Sequence, residues 1–579
     1  MTGSDATTAF AAVLVDEWVR SGVTDAVVAP GSRSAPLALA LARDTRMRVH
    51  VVVDERSAAF RALGLGLASG RPAVVLCTSG TAAANFHPAV VEAAYARVPL
   101  LVCTADRPPE LRDTGAGQAI DQDRLYGGSA RWFCDPGPPI DVPGAGVAWR
   151  ALACRAFAET LGPPAGPVHL NLPFREPLLP TGDPLVDTPG RAGGQPWTRS
   201  SPPTRAPRRA DVAALVDQVR AHPRGVLIAG WGAAVAPATA SRFAAAAGWP
   251  VLADPISQLR AGDLAVSAYE SLLRVPGFAD AHRPDLAVRV GAALTSKVAT
   301  AWLDASVAQV LVDPDNAWLD PHHGAAQRLA VDAESLLAAV ADGLGAPPDE
   351  ASQWADGWRR AERLARAAID ATLDASSAPG EGKVARDVAA ALPDGSTLLA
   401  ASSLPVRALE WCMAPRSGLR VLANRGANGI DGFVSTVIGV TQAGDGARTF
   451  GLCGDLCFLH DTNGLIGPHQ WPQGSSATII VLDNDGGGIF SHLPPAELPE
   501  FERLFATPHH LDLVEVARAH GASAERVNDT RKLSEMISSS ESTDRTRVRV
   551  FVVPIDRHES VARHREIWDA VAAVVGERG

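Results

Sequence analysis

The chain has 579 residues, too many for one hydrophobic core, and a length of this order corresponds to roughly three to four domains. Its 46% hydrophobic and 20% charged residues describe an ordinary globular protein, and a net charge of −11 without any Lys/Arg block argues against nucleic acid or an anionic membrane surface as partner. The opening MTGSDATTAFAAVLVDEW has no basic start and is interrupted by acids, so no signal peptide is expected, and no window approaches the ~18 uninterrupted apolar residues of a membrane span.

The seven cysteines are scattered and complete no zinc set, which suits buried thiols in a reducing cytoplasm. Two Pro/Gly/Ser-rich stretches, PGRAGGQPWTRSSPPTRAPRR (189–209) and DASSAPGEGK (374–383), divide the chain into blocks near 1–188, 210–345 and 380–579. In the first block DAVVAP, RVHVVVDE, PAVVLCTSG and PLLVCTADRP read as strands, with helical stretches such as SAAFRALGLGLASG between them. The second offers RGVLIAGWG, DLAVRVGA and QVLVDPD. Its GWG lacks the third glycine of a dinucleotide fingerprint, because Val235 holds that place, so NAD or FAD is not expected there. The third offers STLLAA, RVLANRG, RTFGLCGD, ATIIVLDND and RVRVFVVP. Alternation of this kind predicts an α/β fold of parallel sheets flanked by helices, with ligands beyond the carboxyl ends of the strands.

Three places after strand ends carry chemistry. HVVVDERSAAF puts Glu55 just past a strand, either as a functional carboxylate or as an acid favoured by a helix N-terminus. In the third block, one apolar run leads into Gly454-Asp455-Leu456 and the next, IIVLDNDGGGIF (479–490), into Asp483-Asn484-Asp485 and three glycines. The second stretch is either a polar turn or a site for a divalent metal and a phosphate. Hard cations take carboxylate and amide oxygens, and glycines let backbone N–H groups approach an anion. The 29 positions from Asp455 to Asn484 suit a crossover helix (HDTNGLIGPHQW and its flanks) that brings both side chains to neighbouring strand ends. Asp455, Asn484 and the Gly486 carbonyl would then hold the metal.

GD…N at this spacing, with three α/β blocks, resembles the thiamine-diphosphate enzymes, although their usual GDG is GDL here. The resemblance implies three Rossmann-like domains: a pyrimidine-binding one (1–188), a central one (210–345) and a diphosphate- and metal-binding one (380–579), with the thiamine-diphosphate fold in the first and third. It implies that Glu55 is catalytic, keeping N1′ of the aminopyrimidine protonated. It also implies that Gly454, Asp455, Leu456, Asn484, Gly486 and Gly487 hold the diphosphate and a Mg²⁺ or Mn²⁺ ion, and that Ile430 props the cofactor into its bent shape.

More specifically, APGSRSAPL (29–37), VDERSAAF (53–60), TADRPPELRDTGAGQAIDQ (104–122), SSLPVR (402–407) and NRGANGIDG (424–432) resemble the 2-succinyl-5-enolpyruvyl-6-hydroxy-3-cyclohexene-1-carboxylate synthase family of menaquinone biosynthesis. The middle block resembles it mainly at ALTSK (293–297). The implied reaction decarboxylates 2-oxoglutarate and adds the resulting carbanion to isochorismate. Both substrates are dicarboxylates, which suits guanidinium forks. Motif by motif, the resemblance assigns substrate contacts to Ser32, Arg33, Arg107, Gln118, Lys297, Ser403, Arg407 and Arg425, with Ile489 and Phe490 lining the apolar side. Only Lys297, Lys383 and Lys532 among 53 basic residues are lysine, so Lys297 carries more weight than any single arginine. Val298 stands where relatives can carry a second basic residue. The family's active sites join two subunits, which implies a homodimer or a dimer of dimers. The alternatives are another thiamine-diphosphate 2-oxoacid carboligase or decarboxylase, against which the arginine set and the missing first-domain His-His pair argue, and a regulatory relative, against which Glu55 argues.

Overall fold

The computed structural model describes residues 3–576 apart from 181–188, 305, 445, 468–474 and 540–546. The described strands form three six-stranded sheets, and every pairing in them is parallel. The first contains β1 (Asp25–Val28), β2 (Arg48–Val51), β3 (Ala73–Cys77), β4 (Leu100–Asp106), β5 (Trp132–Cys134) and β6 (Pro167–Pro173). The second contains β7 (Gly225–Ala229), β8 (Val251–Ala253), β9 (Ala265–Val266), β10 (Leu286–Val290), β11 (Ala308–Val312) and β12 (Gln327–Leu329). The third contains β13 (Ser396–Ala400), β14 (Leu419–Leu422), β15 (Thr449–Gly454), β16 (Ala477–Asp483), β17 (Ser523–Arg526) and β18 (Val548–Pro554).

Each apolar run that the sequence marks as a strand forms one. Central strands such as β3 and β4 are buried along their whole length, as parallel strands covered by helices on both faces must be. The strands the patterns did not reveal are short or poor in alternation: β8 has three residues, β9 two, and β6 starts and ends in proline.

The first sheet runs β2-β1-β3-β4-β6-β5 and the third β14-β13-β15-β16-β18-β17, which is the same order. The middle sheet, β12-β11-β10-β7-β8-β9, has the other doubly wound arrangement. Strand order therefore reverses between β1 and β3 in the first sheet and between β13 and β15 in the third, and those carboxyl ends open the crevices where ligands bind.

Between β15 and β16 the crossover differs from the expected helix. A short helix, Asp455–His460, is followed by a 3₁₀ turn, Thr462–Leu465, and the end of the expected run (468–471) lies outside the described residues. The second Pro/Gly boundary falls between helices Asp349–Asp374 and Glu381–Ala391. The first of these, 26 residues long, packs Trp354 and Trp358 with Leu252 and Ala287 of the middle sheet. The 189–209 stretch is pinned to the first domain by Arg20, which donates to the Arg191 and Gln195 carbonyls, and by Glu17, which accepts from the Trp197 N–H.

Candidate active site

In the third sheet the reversal point lies between the loop after β13, carrying Ser403, and the residue after β15, Asp455. Ser403 has φ 76° and ψ −133°, a conformation that costs a non-glycine residue about 1–3 kcal/mol and is retained where surrounding structure holds it. β15 and β16 pair with Gly454 opposite Leu482, so Asp455 and Asp483 stand side by side. One Asp455 oxygen accepts from the N–H groups of Asn484 (3.0 Å) and Gly486 (2.8 Å), and the other from Leu456 (2.6 Å). The loop after β16 thus folds around the Asp455 carboxylate.

The glycines there have distinct tasks. Gly486 has φ 139°, and a Cβ on it would lie 2.0 Å from the Ala506 carbonyl oxygen. A Cβ on Gly488 would lie 2.2 Å from the Asn484 amide nitrogen. A Cβ on Gly454 would meet nothing within 4 Å, so the approach to Asp455 from that side is open.

This pocket fits a divalent cation. Burial pushes the Asp455 and Asp483 carboxyls above the usual carboxylate range, so a positive charge beside them would be stabilising. The buried Asn484 Oδ1 has no hydrogen-bond partner among the described residues, which leaves it available as a hard-oxygen ligand. Asp455, Asp483 and His509 bring ligand atoms within 4.8 Å of one another, with His509 Nε2 3.5 Å from Asp455. The Gly486 carbonyl accepts from the Gly488 N–H at 2.9 Å and keeps a second lone pair. Asp483 and His509 were not singled out by the motif. Asp483 is part of the DND run, whereas His509 arrives from a loop that gives no local signal. Its N–H and that of His510 are held by Asp485 at 3.0 and 2.7 Å.

A cavity of about 550 Å³, within the range of small-molecule sites, lies between the middle and third domains. Lys297, Arg407 and Ile489 line it together. Arg407 donates to the Ser403 carbonyl at 2.8 Å, and burial, followed by the charge of Arg425, holds its pKa below the usual arginine value. Arg425 reaches toward Thr295, two residues before Lys297, at 3.5 Å. Phe490 packs edge-on against Phe505, ring centres 5.6 Å apart, and Ile430 is half-buried with its carbonyl accepting from Cys457.

The first-domain candidates form a separate group. Arg33 donates to the Phe174 carbonyl (2.9 Å) and pairs with Glu176 (3.1 Å), while Arg107 donates to Ser79 Oγ (2.6 Å) just after β3. Ser32 and Gln118 are exposed, and Gln118 has φ 57°. Glu55 opens the helix Glu55–Ser69, capped by Asp54, and makes no hydrogen bond or ion pair among the described residues. Its neighbours tie this helix to the third domain: Asp54 accepts from Asn463 (2.8 Å), Arg56 donates to the His460 carbonyl and Ser57 donates to Asp461 (3.1 Å). Among the described residues, no hydrogen bond or ion pair joins Ser32, Arg33, Glu55, Arg107 or Gln118 to Lys297, Arg407 or Asp455.

The middle reversal point, between β7 and β10, is closed by backbone. Gly230 donates to the Val290 carbonyl at 3.0 Å, and a Cβ on Gly230 would lie 1.8 Å from the Ala292 oxygen. A side chain at Gly230 would collide with the backbone that follows β10.

Family models for thiamine pyrophosphate enzymes match along the chain: the N-terminal TPP binding domain at residues 8–125, the middle domain at 192–400 and the C-terminal TPP binding domain at 412–551. Curated 2-succinyl-5-enolpyruvyl-6-hydroxy-3-cyclohexene-1-carboxylate synthases are similar over almost their whole length. That of Thermobifida fusca is 45% identical, covering 98% of this chain and 99% of its own, and that of Geobacillus kaustophilus is 40% identical, covering 99% of each. A solved thiamine diphosphate-dependent 4-hydroxybenzoylformate decarboxylase from Rhodococcus jostii RHA1 has a similar fold, with a TM-score of 0.70, 15% identity, and coverage of 94% of this chain and 99% of its own.

Proposed function

The chain belongs to the 2-succinyl-5-enolpyruvyl-6-hydroxy-3-cyclohexene-1-carboxylate synthase family of thiamine-pyrophosphate enzymes, and from that premise we propose that it releases CO₂ from 2-oxoglutarate and adds the remaining four-carbon unit to isochorismate. The observation that carries the choice of substrate is the cavity lined by Lys297, Arg407 and Ile489, which presents cations and an apolar wall to one small space. A small apolar 2-oxoacid would leave those cations unpaired. The reaction serves menaquinone biosynthesis.

Thiamine diphosphate, when bound, supplies the nucleophilic carbon and the electron sink that loss of CO₂ from a 2-oxoacid requires. In this reading Asp455, Asn484 and the Gly486 carbonyl would hold Mg²⁺ or Mn²⁺, with Asp483 and His509 beside them, and Gly454, Leu456 and Gly487 would hold the diphosphate. Support comes from the orphaned Asn484 oxygen and the two carboxyls raised by burial. Ile430 would support the bound cofactor from its apolar side. Glu55 would hold the proton on the aminopyrimidine N1′, a task suited to a carboxylate that has no side-chain partner among the described residues. Lys297, Ser403, Arg407 and Arg425 bind 2-oxoglutarate, and Ser32, Arg33, Arg107 and Gln118 bind isochorismate, while Ile489 and Phe490 keep water from the reacting carbon.

The three units would divide near 1–188, 210–345 and 380–579, in a cytoplasmic enzyme. Because, among the described residues, no hydrogen bond or ion pair joins Glu55 or the first-domain cations to Lys297, Arg407 or Asp455, we take the working unit to be a homodimer or a dimer of dimers whose sites join two subunits. Val53 and Ile120, 65% and 38% exposed beside Glu55 and Gln118, are apolar surface that such an interface would cover. Sedimentation at micromolar concentration tests this; a monomer that is fully active would refute it.

The test of the reaction is loss of isochorismate by the purified protein with thiamine diphosphate and Mg²⁺, with and without 2-oxoglutarate. Consumption that needs all three additions is expected. Untouched isochorismate with intact cofactor binding would favour a different 2-oxoacid and acceptor.

A further inference from the structure

The cavity between the middle and third domains carries more charge than the residues assigned to it. Four cations line it, Arg274, Lys297, Arg407 and Arg565, against two carboxylates, Glu270 and Glu497. The buried Glu270 is already engaged: it pairs with Arg274 at 2.8 Å and accepts the hydroxyl of Ser296, which caps the helix starting at Lys297. Arg274 in turn lies over the Trp568 ring, 3.7 Å from its centre. Arg407 is partly satisfied by the Ser403 carbonyl. Lys297 and Arg565 have neither an ion pair nor a hydrogen bond among the described residues.

Arg565 faces this space because of helical spacing. Val561, Arg565 and Trp568 of the helix Arg557–Gly576 stand four and three residues apart, on one face, and all three line the cavity. Trp568 is anchored by Arg274, which fixes the rotation of that face. His492, also in the lining, is neutral near pH 7, since burial and then the charges of His564 and Arg565 lower its pKa to about 4. The positive excess over the two carboxylates matches the charge of one dicarboxylate. Indole walls from Trp411 and Trp568 reduce solvent screening of it.

We propose that Arg565 is a specificity-determining residue: its guanidinium pairs with the carboxylate of the 2-oxoacid remote from the reacting carbonyl, opposite Lys297 and Arg407. This rests on the dicarboxylate reading above and adds a third-domain contact that none of the motifs contains. Arg565 is exposed at the edge of a cavity that three other cations also line, so a bound anion can reach it without the cost of burying an unpaired charge.

The test uses the thiamine diphosphate- and Mg²⁺-loaded enzyme and succinate, an unreactive dicarboxylate, titrated calorimetrically, alongside KM and kcat for 2-oxoglutarate. Arg565→Ala is expected to weaken succinate and raise KM by about tenfold, the scale of one charge-assisted contact that is partly screened, with a smaller change in kcat. Arg565→Lys should recover most of the loss. Melting temperature and thiamine diphosphate affinity serve as controls for folding. Succinate affinity and KM within twofold of wild type in Arg565→Ala would overturn the assignment, as would a fall in kcat with KM unmoved. Arg407→Ala separates the two levels: loss there but not at Arg565 sinks this proposal alone, and wild-type enzyme that does not bind succinate sinks the dicarboxylate reading itself.

Discussion

The helix that begins at Glu55 crosses the helix Phe433–Gln442 at a point where both backbones are bare. A Cβ on Gly439 would lie 2.1 Å from the Arg61 carbonyl oxygen and 3.0 Å from Gly64 Cα, and a Cβ on Gly64 would lie 2.3 Å from the Thr436 oxygen. Real contacts of this kind are essentially never under 3.0 Å, so Gly439→Ala requires one helix to move by about 1 Å. The obstruction is backbone and cannot rotate away. In an unobstructed helix interior the same substitution stabilises by about 1 kcal/mol, whereas overpacking costs about 1–3 kcal/mol. The net expectation is a destabilisation of up to about 2 kcal/mol.

Gly357 provides the control. It lies inside the helix Asp349–Asp374, and its Cβ would meet only His282 Nε2, at 3.7 Å. Gly357→Ala should therefore raise the melting temperature while Gly439→Ala lowers it. Since Glu55 is the first residue of the displaced helix, Gly439→Ala should also lower kcat, by up to about 100-fold for a 1 Å displacement. Thermal unfolding of both variants in one buffer, with turnover measured beside it, is the assay. A Gly439→Ala protein as stable as wild type would refute the close approach and its link to Glu55.

Glu55→Gln should leave thiamine diphosphate and Mg²⁺ binding intact, measured calorimetrically, and reduce turnover by at least about 100-fold, within the usual range for a positioned acid or base; near-normal activity would remove its assigned role. Asp455→Asn should abolish the rise in melting temperature that Mg²⁺ with thiamine diphosphate gives the wild type, because ligand stabilisation vanishes with affinity; an unchanged rise would exclude Asp455 as a ligand. The third prediction concerns Glu410, fully buried, which accepts from Arg260 at 2.9 Å and from the Tyr269 hydroxyl. Burial, with the nearby Asp254, raises its pKa from 4.5 to about 8. The folded state thus keeps a proton that the unfolded chain has released, and stability falls as pH rises from about 5 to about 8. Glu410→Gln cannot titrate, so wild type should lose stability relative to it across that interval; a constant difference in melting temperature would show that Glu410 ionises normally.

Much of the architecture was legible because buried parallel strands are nearly continuous apolar runs. IIVLD and LLVCTAD are such runs, and each is a central strand. Asp455 and Asn484 could be named from their places just after such runs, whereas Ser403 was named through the resemblance of SSLPVR to a known family. Strands such as Ala265–Val266 and Gln327–Leu329 were not legible: edge position and pairing, not composition, make them strands. The crossover after Asp455 misled for a related reason. A stretch long enough for a helix instead turns at Asp461, whose buried carboxylate accepts from Ser57 of the first domain and from Ser435, a tertiary demand that local pattern does not record.

The site divides along the same line. A residue directly after a central strand is positioned by the sheet, so its sequence neighbours suffice to identify it. His509 and Arg565 reach their sites on a loop and a C-terminal helix, through contacts made far along the chain. In a protein where 50 of 53 basic residues are arginine, no single Arg stands out until its partners are known. What separates Arg565 from Arg563, two positions earlier, is that Arg563 is matched by Glu559 and the Ala378 carbonyl whereas Arg565 has no partner among the described residues. Arg565 and Lys297 are both exposed where they line the cavity, and an anion bound between them would give each a partner. The missing partner of Arg565 is therefore as informative as the ligand sets of the motifs, and only the packed structure reveals it.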